Sequence, residues 1–165
     1  MKRPSVTSSL KKVAIVAGDG SSRKGYLNPA KIGRAETLDL LTVDGQHEEV
    51  DLSDVHAIYF VNDLAAPYEP ERKAFLSRPK LDGLWVRLKF KNGEVLEGVV
   101  PNDLLALLDA GVQITPPDLQ GNTRRVFIPR EALAELKVLG VVGVARRKAV
   151  AAGTTAEQPR LFEED

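Results

Sequence analysis

The chain has 165 residues with Lys plus Arg balanced against Asp plus Glu at 23 each, so no global field draws it to nucleic acid or to an anionic membrane. Hydrophobic residues make up 43% and charged residues 28%, an ordinary composition for a protein that buries a core without crosslinks or metal. The absence of cysteine excludes disulfides, thiolate catalysis and cysteine-ligated metal centres.

Residues 1–12, rich in Ser, Lys and Arg, read as a flexible leader with no apolar segment of the signal-peptide kind. A first strand over Val13 to Ala17 ends in Gly18-Asp19-Gly20, and Ser21 to Leu27 returns until Asn28-Pro29 stops it. Thr37 to Val43 alternates as a third strand before Asp44-Gly45, Glu49 to Leu52 gives a fourth, and Val55 to Val61 a fifth. Five short, regularly punctuated strands argue for a small all-β unit over residues 13–61. Residues 62–83, with several prolines and many charges, form a connector in which Glu69 to Phe75 has the composition of a helical turn.

The same order then recurs. Trp85 to Phe90 and Glu94 to Val100 flank Asn92-Gly93, the strongest short-range hairpin signal. Gly20 and Gly25 of the first hairpin reappear as Gly93 and Gly98, and Gly98 is placed to let the second strand bend. Leu104 to Leu108 fits a helical turn or a strand. Gly111 to Thr115, Arg125 to Ile128 and Leu133 to Val138 are the third, fourth and fifth strands, with Val50 and Leu52 set against Val126 and Ile128. Val141 to Val144 would add a last strand or pack between the units. The expectation is a tandem duplication, with a second unit over 84–144 and a disordered tail over 145–165. Units this small are expected to pack on each other or on another subunit.

The hairpin ending in Asn92-Gly93 with Gly98 and Val99-Val100 after it resembles the first motif of Sm-like proteins. Arg125-Val126-Phe127-Ile128-Pro129 with Leu133 resembles their short second motif, and the whole chain looks like a group of bacterial tandem-barrel proteins sharing a GEVLEG hairpin and an RVFIPR strand. The resemblance implies two tandem five-stranded Sm-like barrels, of the Src-homology-3-like kind. The family's RNA sites use an Asp and an Asn after the second strand. Here those loops offer Asn102 and Asp103 in one unit and Asn28 in the other, while Ile128-Pro129-Arg130 stands where the bacterial RNA chaperone has Lys-His.

Catalytic patterns are lacking. His47 and His56 show no paired ligand spacing, and Gly18-Asp19-Gly20-Ser21-Ser22 leads into a strand, so its amides do not converge as at a phosphate-binding helix start. Asp19, Ser21 and Gly25 approach the Asp-x-Ser-x-x-Gly motif of PilZ receptors, but the glycine is one residue late and no Arg-x-x-x-Arg precedes it.

The expectation is therefore a non-catalytic, cofactor-free adaptor that binds protein in bacterial regulation or signalling, located in the cytoplasm and not in a membrane. Trp85 is a candidate protein-binding anchor. The alternative is an Sm-like RNA-binding protein using Arg124, Arg125, Arg130, Arg146, Arg147 and Lys148, with assembly into homo-oligomeric rings as a corollary. A third reading rests on Gln158, Leu161 and Phe162, which resemble the Gln-x-x-Leu-Phe peptide that docks on the bacterial sliding clamp.

Overall fold

Alternating apolar runs punctuated by Asp-Gly and Asn-Gly fold into hairpins throughout. A computed structural model of the chain describes residues 9–107 and 109–143. It contains β1 (Lys11–Ala17), β2 (Ser22–Leu27), β3 (Thr37–Thr42), β4 (His47–Asp51), β5 (Val55–Val61), β6 (Gly83–Phe90), β7 (Val95–Val100), β8 (Gly111–Ile114), β9 (Thr123–Pro129) and β10 (Leu133–Val142). A single helical turn, α1 (Leu104–Leu107), and short 3-10 turns at Pro29–Lys31, Leu52–Asp54 and Arg130–Ala132 complete the described chain. No helix among the described residues is long and apolar enough to cross a membrane.

Three hairpins use one turn. The Gly20 N–H donates to the Ala17 carbonyl at 3.0 Å, Gly45 to Thr42 at 3.0 Å and Gly93 to Phe90 at 2.9 Å. Each glycine is left-handed, with φ of 92°, 87° and 94°. This is the three-residue loop closed by a glycine bulge, in which only the last loop residue needs positive φ. Gly25 and Gly98 serve differently. A Cβ on Gly25 would lie 2.3 Å from the Leu41 carbonyl oxygen, and one on Gly98 2.7 Å from the Ile114 side chain, so the second strand of each half needs a missing side chain where the third strand crosses it.

The strands form two antiparallel sheets, one of seven strands in the order β4-β3-β2-β1-β5-β9-β8 and one of three in the order β10-β6-β7. Val99 and Thr115 exchange backbone hydrogen bonds of 3.1 and 2.9 Å, linking β7 to the end of β8. Each half therefore runs fifth, first, second, third, fourth strand, and the registers recur as well. Ile15 pairs with Ile58 as Leu88 does with Leu136, and Val13 with Phe60 as Val86 does with Val138. Both pairings carry an irregularity near their end, beside Ala17–Val55 and Phe90–Leu133. The same correspondence matches Val50, opposite Leu38, to Ile128, opposite Val112. This corrects the alignment of Val50 with Val126 read from the sequence, because the intervening loops differ in length.

The halves share their interior. Val13, Ile15, Leu27, Leu38, Leu40, Val50, Val55 and Ile58 of the first half form one core, completed by Phe127 of β9. The other core combines Val86, Leu88, Ile114, Val126 and Ile128 with Ala14, Ala57, Tyr59 and Val61. Strands β1 and β5 are thus apolar on both faces, as a sheet buried on both sides requires.

Three sequence expectations change. The strand that replaces the end of the leader begins at Lys11, not at Val13. Val141 and Val142 continue β10 and do not start a new strand. Glu69 to Phe75 forms no helical turn, because its backbone bonds outward: the Lys73 carbonyl accepts from Glu97 N–H at 2.8 Å and the Phe75 N–H donates to Glu97 Oε1 at 3.0 Å.

Candidate functional site

Both halves contribute to a groove where their turns meet. In each half the hairpin turn after the first strand is tied to the 3-10 turn before the fifth: Gly18 N–H donates to the Asp54 carbonyl at 2.9 Å, and Lys91 N–H to the Ala132 carbonyl at 3.0 Å. Between these two tied corners lies a groove of about 770 Å³. Its walls include Asp19, Glu49, Asp51, Asp54 and Glu131, against Arg23 and Lys91, with His56 at the junction.

Local turn chemistry sets these side chains. Asp19 Oδ1 accepts from Ser21 Oγ at 2.7 Å and from Ser21 N–H at 2.9 Å, and Asp51 Oδ1 accepts from Ser53 Oγ at 2.9 Å and Ser53 N–H at 3.1 Å. Such Asx turns hold short acidic side chains against their own backbone. The Ser21 hydroxyl and amide keep the Asp19 carboxyl below its usual range, so Asp19 stays ionised. His56 stacks on Phe90 with ring centroids 4.2 Å apart and lies 3.4 Å from Glu94, joining β5 to the β6–β7 hairpin. A second groove of about 900 Å³ opens on the other side of the 3-10 turns and includes Arg34, Glu36, Asp51, Asp109, Arg130 and Glu131.

The arginines singled out in the sequence do not converge. Arg124 and Arg125 are adjacent on β9 and so point to opposite faces. Arg125 Nη1 donates to Gln113 Oε1 at 3.0 Å, while Arg130 Nη2 donates to the Leu107 carbonyl at 3.2 Å beside the second groove. Trp85 is half-buried under the connector: its Nε1 donates to Glu97 Oε1 at 3.0 Å and its ring meets Phe75 edge-on. Arg146, Arg147, Lys148, Gln158, Leu161 and Phe162 lie outside the described residues. His47, on β4, is 3.0 Å from Asp39, while His56 lies on β5, and no group of three or more metal-ligating side chains occurs among the described residues.

Sequence reading missed the groove acids, since Glu49 sits on a polar strand and Asp54 and Glu131 each sit in a short turn. The signal that could have located them was the doubled Asp-x-Ser, at Asp19 and at Asp51, within one half.

With this geometry in place, comparison with known proteins gives one match, over residues 9–140, to a family of unknown function (DUF6982). The chain belongs to that family. The matched span takes in nearly all of the ten strands and both tied corners, so the groove lies within the family's domain. No curated protein and no solved structure matches the chain.

Proposed function

We propose that the chain is a non-catalytic binding or adaptor protein of two tandem Sm-like small barrels, acting in the cytoplasm in bacterial regulation or signalling, and that its partner docks in the groove between the tied corners. The Sm-like reading is supported by the strand order fifth-first-second-third-fourth in both halves and by the second-strand glycines Gly25 and Gly98. The observation that carries the binding reading is the groove itself, assembled from turns of both halves and lined by five carboxylates against two cations. Complementarity of charge fits it to a protein segment bearing Lys or Arg and disfavours a phosphate backbone.

The RNA reading needs a convergent cationic surface, and the described arginines face different ways. Two measurements separate the readings. A D54K/E131K variant that keeps the wild-type circular dichroism spectrum is expected to lose the protein partner that cross-links to a photoreactive group at Asn92. An RNA mobility shift that weakens steeply with salt, and that D54K/E131K leaves unchanged or strengthens, would count against the proposal. For the clamp peptide, a pull-down on the sliding clamp comparing wild type with L161A/F162A gives the answer.

A further inference from the structure

The joint inside this chain is heterologous: it joins the outer edge of β5 to β9 and lays Ala14, Ala57 and Tyr59 on the second core. Among the described residues such a contact has an unused counterpart at each end, the outer edge and face of β10 and β6 at one end and β4 at the other. The recurring register shows what occupies those counterparts. The cross-strand pairs Ala14–Tyr59 and Val16–Ala57 become Arg87–Lys137 and Lys89–Glu135. All four of the charged residues are exposed, whereas Ala14, Ala57 and Tyr59 are buried. The remaining part of that face, around Trp85 and Glu97, is covered by the connector through Phe75 and Lys73. At the other end, Val126 and Phe127 of β9 correspond to Glu48 and Glu49 of β4, both exposed.

We infer that these charges close both outer counterparts to a second copy of this chain, so that the joint is made once and the protein is a self-terminating pair of units. The physical reason is desolvation. Repeating the joint would take Arg87, Glu135 and Glu49 out of water and partly desolvate Lys89, where the internal joint buries Ala14, Ala57 and Phe127 and half-buries Val16. Opposite charges at Lys137 and Glu48 do not offset this. Each is already paired at 3.5 Å in its own half, Lys137 with Glu135 and Glu48 with Arg23. Inward or edge charges of this kind are the common device by which open strands avoid pairing.

Sedimentation velocity on full chains tests the inference. Wild type is expected to remain one species of 18.0 kDa as its concentration is raised. The variant R87A/K89V/E135A/K137Y and the variant E48V/E49F each restore one side of the joint. Each is expected to remain single alone, and their mixture is expected to form a one-to-one complex at twice the wild-type mass. Circular dichroism verifies that each variant is folded. Should the fourfold variant misfold, R87A/K89V/E135A mixed with E49F removes the four blocking charges and leaves Lys137 opposite Glu48, at the cross-strand position that corresponds to Tyr59–Val126. Association of the wild-type chain, or complementary folded variants that stay apart, overturns the inference.

Discussion

Gly25 and Gly98 stand at the same place in their hairpins but meet different neighbours, and the difference sets what a methyl group costs. At Gly98 the obstacles are Cδ1 and Cβ of Ile114, at 2.7 and 2.8 Å, and the Cβ moves only with its backbone, so Gly98→Ala is expected to destabilise by about 1–3 kcal/mol. At Gly25 the obstacle is the carbonyl of Leu41, which is part of the β2–β3 ladder, so Gly25→Ala is expected to cost more. Urea unfolding of the two variants gives the order directly. Tyr59 offers a second residue-scale test. Burial, and then the charges of Glu69 and Glu94, push its phenol well above the ordinary value of 10.0. A raised folded value means that the unfolded chain ionises first. The contribution is therefore complete below pH 10.0 and is lost as pH rises beyond it, by about 1.4 kcal/mol per pH unit for one such group. Stability measured from pH 9 to 12 should hold to about pH 10 and then fall towards that slope, and Tyr59→Phe should flatten it. The hairpin glycines were legible in the sequence because backbone geometry leaves little choice of residue there. The position of Tyr59 in the other half's core was not, because nothing local distinguishes a tyrosine facing its own unit from one facing its neighbour.

Among the elements, the connector is the one whose role depends on contacts far along the chain. Glu97 is buried, its Oε1 accepts from Trp85 Nε1 and from the Phe75 N–H, and its own N–H donates to the Lys73 carbonyl, so one residue holds residues 73–75 against β7. Glu97→Ala removes the acceptor and leaves both donors without it, at a cost of about 1–3 kcal/mol. Limited proteolysis should then cut between residues 71 and 79 faster than in wild type, and Trp85 fluorescence should shift to longer wavelength as the ring becomes wetter. Strand positions followed from alternation and turn residues, including β5 at Val55–Val61. The helical turn expected at Glu69 to Phe75 failed because local propensity is weak beside backbone bonds offered by a neighbouring strand edge.

The whole molecule behaves as one body because β5 and β9 join the halves and each core borrows from the other. Thermal or urea unfolding is expected to show one transition, by near-ultraviolet and far-ultraviolet circular dichroism alike. Tyr59→Ala, which opens a cavity in the core that both halves line, should lower stability by about 3–5 kcal/mol without splitting that transition. A variant with two separated transitions would mean that the halves unfold independently. The amino-acid sequence by itself determined the all-β class, most strand positions and the three glycine turns, because periodicity and turn chemistry act within a few residues of where they are written. Tertiary structure alone decided that the halves share a sheet and that carboxylates from separate turns line one groove. It also decided that Trp85 is covered, since those outcomes depend on pairing between residues tens of positions apart.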